Sequence, residues 1–214
     1  MKQLVILIHG MGRTRFSMRS LEKYFKDEGY QVINESYDSR SKPIETIAVE
    51  HIGQLLRSIY SNEYEAIHFV THSLGGIMLR YYLSHHSINK LGRIVMIAPP
   101  NQGSEVAELY KDKLWYKLAT GKPGQQLYIN NNPLLEQLKP ISADVGIMIG
   151  TKSSDPWFNH AFAGPHDGKV SVESARLPEM KDFITVDHGH TFIMNNRKVQ
   201  QQIEHFLKHG FFDE

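Results

Sequence analysis

The sequence predicts an α/β domain: a mostly parallel central sheet of about six strands, with helices on both faces and no separate cap. Three observations carry that expectation. Short apolar runs rich in β-branched residues recur along the chain, longer amphipathic stretches separate them, and most of the short runs do not alternate between polar and apolar residues. A strand with one wet face alternates, whereas a parallel strand covered on both sides does not.

The strand candidates are residues 4–8, 31–36, 66–70, 93–98, 145–149 and 183–186, all but the second lacking clean alternation. The sheet is therefore expected to be buried on both faces. Between strands, 17–28 places Leu21, Tyr24 and Phe25 at helical spacing and stops at Gly29. Residues 43–60 carry Ile44, Ile47, Ile52, Leu55, Leu56 and Ile59 in a second helical pattern. The last helix, 195–209, gathers Val199, Ile203, Phe206 and Leu207 on one face, ends at Gly210, and is expected to cover a sheet edge. Two stretches break the alternation of elements. In 101–140, glycines, prolines and Asn130 to Asn132 divide short helical pieces bearing Trp115, Tyr116 and Leu118. Residues 151–168 lack periodicity and hold Trp157, Phe158 and Phe162, as functional loops often do.

At 214 residues the chain is expected to form one domain spanning 1–214. A hydrophobic fraction of 41% with 22% charged residues argues against both disorder and a membrane class. Lys plus Arg (24) against Asp plus Glu (23) leaves +1 without long runs of one sign, so nucleic acid is not an expected partner. The absence of Cys removes disulfides, thiolate nucleophiles and Cys-based zinc sites together. The apolar run at 4–8 reaches His9 and Gly10 at once, too short for a signal core or a transmembrane segment. A cytoplasmic address is the default expectation, with an exported mature form as the alternative.

The chemistry concentrates in Thr71-His72-Ser73-Leu74-Gly75-Gly76. A serine hydroxyl is a weak nucleophile near neutral pH, so it must be held clear of the backbone and paired with a base. A sharp strand-to-helix turn does the first, and residues two before and two after the serine approach closely there, hence G-x-S-x-G. Gly75 fits that pattern and Thr71 departs from it, while an apolar run before Ser73 and Ile77, Met78, Leu79, Tyr82 and Leu83 after it supply the strand and the helix. The Leu74 N–H at the start of that helix is a candidate oxyanion donor. A second is the Met11 N–H, in the His9-Gly10-Met11-Gly12 loop after the first strand. His9 itself reads as a scaffold residue.

In hydrolases built on such a unit the acid and then the base follow the serine. Asp167 and His190 fit that order, each after a strand that ends on the same sheet edge. Asp155 is a rival acid, and Asp167 is preferred because Gly168 supports a tight turn. His188 is a rival base that position alone does not separate from His190. A metal site at Asp187, His188 and His190 lacks a further cluster with ligand spacing, so no metal is expected there. The Trp and Phe residues of the irregular segments, with Met11, suit an apolar acyl pocket.

These residues resemble those of the bacterial lipases and esterases of the α/β-hydrolase superfamily, including compact lipases without a cap and proteins similar to glycolipid inositol deacylases. The resemblance covers most of the chain. Residues 8–12 look like the family's His-Gly oxyanion loop, 71–76 like its elbow and 98–104 like the segment after its next strand. Asp167-Gly168-Lys169-Val170 looks like the stretch bearing its acid, and His190-Thr191-Phe192-Ile193-Met194 like that bearing its base. The resemblance thus favours His190 over His188. It implies that Ser73 attacks an ester carbonyl, His190 takes its proton, Asp167 orients the imidazole, and Met11 and Leu74 bind the oxyanion, with an acyl-enzyme on the way and no cofactor or metal needed. The expected substrate is a small or lipid-like acyl ester. An acyl thioesterase or acyltransferase would use the same three residues, and a silent binding module on this scaffold would not need them.

Overall fold

The computed structural model describes residues 2–59, 63–153 and 155–213. All six strand candidates are strands: β1 (Lys2–Ile8), β2 (Gln31–Asn34), β3 (Tyr64–His72), β4 (Leu91–Ile97), β5 (Val145–Gly150) and β6 (Asp182–Val186). They form one sheet in the order β2-β1-β3-β4-β5-β6, and every neighbouring pair is parallel. β2 stops short of the expected Ser36. At its end the Asn34 side chain donates to Arg15 O and to the Glu22 carboxylate.

β1 has β2 on one side and β3 on the other, so the winding direction reverses there. At such a switch point a crevice opens beyond the carboxyl ends of the two strands. His9 and Gly10 follow β1, and Ser73 follows β3.

Burial on both faces holds for the middle of the sheet and fails at its edge. Leu4 to Ile8 and all of β5 are buried, whereas no residue of β6 is, and Thr185 is exposed. β6 has a neighbour on one side only. An absence of alternation therefore marks an edge strand as readily as a central one, because Arg176, whose guanidinium lies 3.8 Å from the Phe183 ring centroid, covers part of it.

The helices are α1 (Arg19–Asp27), α2 (Ile44–Ile47), α3 (Gly53–Ser58), α4 (Leu74–His85), α5 (Glu105–Tyr110), α6 (Leu114–Gly124), α7 (Pro133–Glu136), α8 (Val172–Ala175) and α9 (Arg197–His209). The expected 43–60 helix is divided into α2 and α3 by a π-helical turn, Ala48–Ile52, and its last residue, Tyr60, lies outside the described residues. That wider turn holds the His51 ring 4.8 Å from Tyr37, which stacks on His9 at 4.1 Å. The first expected helix is likewise split, with a 3-10 turn at Arg15–Met18 before α1. In the irregular stretch 151–168, the described part contains a 3-10 turn at Pro156–Ala161.

α9 does not cover a sheet edge as expected. It packs on β4, and its Phe206 ring lies on β5, where a Cβ at Gly146 would come within 2.7 Å of the ring. The reason is the apolar row itself. Val199, Ile203, Phe206 and Leu207 are all fully buried, each contributing about 1.5–3 kcal/mol, and only the middle strands offer enough apolar surface to cover them. α1 lies beside α9, and α2 packs with α4.

Candidate active site

Ser73 lies between β3 and α4 at φ 52 and ψ −119, a conformation that non-glycine residues rarely adopt. Its N–H donates to Ile97 O at 2.9 Å, and its carbonyl accepts the Gly76 N–H at 2.9 Å. The start of α4 is pressed against the end of β1. A Cβ at Gly75 would stand 2.6 Å from Ile8 O and 3.0 Å from His9 O, backbone atoms that have no freedom to turn aside. Gly75→Ala is accordingly expected to lower stability by about 3 kcal/mol or more. An unchanged urea midpoint would contradict that close fit.

Thr71, where the strict motif has glycine, is fully buried. A Cβ at Gly76 would lie 3.4 Å from its Oγ1 and 3.1 Å from Pro99 Cβ. Room for the β-branched side chain thus comes from the second glycine of the pair.

The structure joins Asp167 to His190. Asp167 is completely buried in a tight turn in which Gly168 takes φ 102. Its Oδ1 accepts the Lys169 and Val170 N–H groups, both at 2.9 Å, and its Oδ2 accepts the His190 Nδ1–H at 2.7 Å. The His190 N–H also reaches Asp167 O at 3.0 Å. All three hydrogen bonds fix the carboxylate in place, and with Nδ1 donating to it, Nε2 is the His190 ring nitrogen left to act as a base.

Ser73, His190, Gly10 and Met11 line one cavity of about 210 Å³, walled further by Trp115, Tyr116 and Phe158. Among the described residues the Ser73 hydroxyl makes no hydrogen bond to His190, so the two groups meet in the cavity they share. Apo sites often leave such bonds open until substrate arrives. Of the other aromatic residues expected in an acyl pocket, Trp157 is exposed and Phe162 stacks on His166 at 4.0 Å instead.

Leu74 is the first residue of α4, so its N–H has no acceptor within the helix. Met11 sits in a turn closed by the Arg13 N–H on Gly10 O at 3.3 Å and braced by the Gly12 N–H on Ser39 Oγ at 2.9 Å. His9 shapes that loop. Its Nδ1–H donates to Gly10 O at 2.9 Å, its Nε2 accepts the Tyr37 N–H at 3.3 Å, and the Tyr37 hydroxyl donates to His9 O at 2.6 Å.

The rival residues stand elsewhere. Asp155 lies beside Gly168, with its Oδ2 3.3 Å from where a Cβ there would be. His188 is half-buried and accepts the Lys152 N–H on its carbonyl at 3.2 Å. Asp187 pairs with Lys152 at 2.6 Å. Among the described residues no group of three or more His, Cys, Asp or Glu side chains could hold a metal ion.

Two residues emerge that sequence reasoning passed over. His72 is buried beside Ser73, its Nε2–H donates to His190 O at 3.0 Å, and the two rings lie 4.8 Å apart. Burial, with His190 beside it, holds the His72 pKa well below the ordinary value, so it stays neutral and ties the elbow to the His190 loop. Arg80, the one cation in the apolar run of α4, donates to Asn101 O at 2.8 Å, and Asn101 donates to Ala175 O at 2.7 Å. Burial lowers Arg80 to about 10. This anchor holds the segment that brings Pro100 and Ser104 to the cavity wall. A charged residue inside an apolar helix was the available signal.

The parallel six-stranded sheet with its turn between β3 and α4 is an α/β-hydrolase fold, and the solved structures it resembles are bacterial lipases and esterases. A family described as "Putative serine esterase (DUF676)" matches residues 1–109, and the chain belongs to that family. It is therefore an esterase-like hydrolase. The mature form of a lipase from Bacillus licheniformis is 17% identical with a TM-score of 0.75, over 95% of this chain and 91% of that one. An esterase from Exiguobacterium antarcticum is 14% identical with a TM-score of 0.68, over 96% and 92%. A phospholipase from Legionella pneumophila is 19% identical with a TM-score of 0.67, over 82% of this chain and 46% of that one. The chain spans about half, 51%, of the propeptide form of the Bacillus lipase. No curated protein matches the sequence. Among the described residues no helix is long and apolar enough to cross a membrane.

Proposed function

We propose that this chain hydrolyses carboxylic esters of moderately apolar acids through an acyl-enzyme, with Ser73 as nucleophile, His190 as base and Asp167 as the orienting acid. The observation that carries the reading is the buried Asp167–His190 pair at 2.7 Å, opening on the same cavity as the strained Ser73.

In this reading Ser73 Oγ attacks the ester carbonyl carbon while its proton passes to His190 Nε2. The imidazolium is stabilised by the Asp167 carboxylate, which the Lys169 and Val170 N–H groups hold in place. The carbonyl oxygen, now an oxyanion, accepts from the Met11 and Leu74 N–H groups, the latter at the positive end of α4. Collapse of the tetrahedral intermediate breaks the bond to the alcohol, which leaves with the proton from His190. Water then gives a proton to His190 and attacks the acyl carbon, and the second collapse returns that proton to Ser73 Oγ and frees the acid. A cavity of about 210 Å³ lies below the roughly 300–1,000 Å³ of sites that enclose drug-sized ligands, which suits a short acyl group with the alcohol outside.

Turnover of p-nitrophenyl butyrate by single variants tests the assignment. His190→Ala is expected to lower kcat by about 10⁶-fold and Asp167→Asn by about 10⁴-fold. His188→Ala and Asp155→Asn are expected to retain most of the activity, and the reverse pattern would overturn the choice of base and acid.

A further inference from the structure

Nine large apolar side chains are exposed among the described residues, and six of them stand on segments that wall the cavity or the groove beside it: Trp115 lines the cavity, Leu114 and Leu118 share its helix, Trp157 precedes the lining residue Phe158, and Phe16 and Phe192 line the adjoining groove. On one side stands α6. It turns Trp115, Tyr116 and Ala119 to the cavity, while Leu114 and Leu118, one helical turn apart, are 72% and 68% exposed. On the other side Arg13 lines both the cavity and an adjoining groove, which Phe16 and Phe192 also line at 66% and 68% exposure. Isolated exposed apolar residues need no explanation, but a set of them on the segments that wall a site does.

Charge distinguishes the occupants such a rim could have. Residues 110–124 contain four lysines against Asp112 alone, and residues 11–19 contain three arginines and no acid, in a chain whose net charge is only +1. Lys111 is paired with Glu108 at 2.8 Å. Lys113, Lys117, Lys122 and Arg19 form no salt bridge among the described residues. Exposed apolar side chains set among unpaired cations complement a surface with anionic headgroups above an apolar interior. A second copy of this chain would instead bring like charges together.

We propose that this rim docks on the surface of an anionic lipid bilayer, with Leu114 and Leu118 entering the headgroup boundary and the flanking lysines and arginines resting on lipid phosphates. The proposal rests on the esterase reading only for what docking delivers, an acyl ester drawn from the bilayer. A cavity of about 210 Å³ does not enclose a whole two-chain lipid, so such a substrate would present its ester at Ser73 while the rest of it stayed in the membrane.

Co-sedimentation of the full chain with vesicles tests this. Wild type is expected to pellet with an equal mixture of phosphatidylcholine and phosphatidylglycerol, to stay in solution with phosphatidylcholine alone, and to be released by high salt. The double variants L114S/L118S and K113E/K117E are expected to bind about tenfold more weakly or less. Both should keep the wild-type circular dichroism and the wild-type turnover of soluble p-nitrophenyl acetate. The proposal is overturned if wild type fails to pellet, or if either variant binds as wild type does. It is also overturned if wild type is a dimer by light scattering and L114S/L118S a monomer, since a second copy would then cover this face. Sedimentation without any ester turnover in wild type would leave the docking intact and remove the esterase reading alone.

Discussion

Ser73→Ala is expected to lower kcat for a soluble p-nitrophenyl ester by about 10⁶-fold, the scale seen when a serine hydrolase loses its nucleophile. The change removes one oxygen and leaves the elbow as it is. Ser73 holds φ 52 through its own N–H on Ile97 O and its carbonyl on the Gly76 N–H, and alanine keeps both bonds. Its hydroxyl makes no hydrogen bond to His190, so no buried partner is stranded by its loss. Activity should therefore fall without a matching loss of stability, and the urea midpoint should stay within experimental error of wild type. Retention of more than about a tenth of wild-type kcat would remove Ser73 from the mechanism.

The second large effect is a loss of stability in mild acid. His51 and His68 are buried, and burial drives each pKa from the ordinary 6.5 to about 4. At His68 the Arg93 N–H donates into Nδ1 at 2.9 Å, on the lone pair that a second proton would need. A histidine held neutral in the fold binds fewer protons than the unfolded chain does, so its contribution is complete above the unfolded pKa and is lost as pH falls through the folded one. Each of the two is expected to withdraw about 3 kcal/mol between pH 6.5 and about 4. Burial lowers His9 and His72 as well, which adds to the same slope. Against a domain stability of about 5–15 kcal/mol this is enough to unfold a large share of the molecules. Urea midpoints at about pH 7.5 and about pH 4.5 measure it, and His68→Asn, which keeps an acceptor for Arg93, should flatten the dependence. Equal midpoints in wild type would contradict the neutral burial of these rings.

Much of the architecture could be read from the chain because local rules and tertiary packing agree there. Leu4 to Ile8 form an unbroken apolar run, and the only way to bury such a strand on both faces is the parallel sheet it occupies. Gly75 was legible for a similar reason, since the approach of α4 to Ile8 O leaves room for no other residue. What stayed hidden depended on neighbours far along the chain. Nothing local in 183–186 distinguishes an edge strand from a central one, and the row on α9 announces burial without saying which strand receives it. The division of 43–60 by a π-helical turn is tied to the stacking of His51, Tyr37 and His9, three residues from separate segments.

The candidate site divides in the same way. The run 71–76 and the turn at Gly168 are local signals, readable as chemistry because each constrains its own backbone. The choice between Asp155 and Asp167 is not local. It turns on the two N–H groups that hold Asp167 Oδ1 and on the reach of its Oδ2 to His190 across a gap of 23 positions. His72 and Arg80 are similar. Their side chains hold other loops in place, His190 O in one case and Asn101 in the other, and a role exercised through a distant backbone carbonyl leaves little trace in the neighbouring sequence.

The most direct measurement is labelling with a fluorophosphonate probe followed by intact-mass and peptide mapping, on wild type, Ser73→Ala and His190→Ala. The account predicts a single adduct on the peptide containing Ser73, none on Ser73→Ala, and much slower labelling of His190→Ala. An unlabelled wild type, or equal labelling of Ser73→Ala, would contradict it.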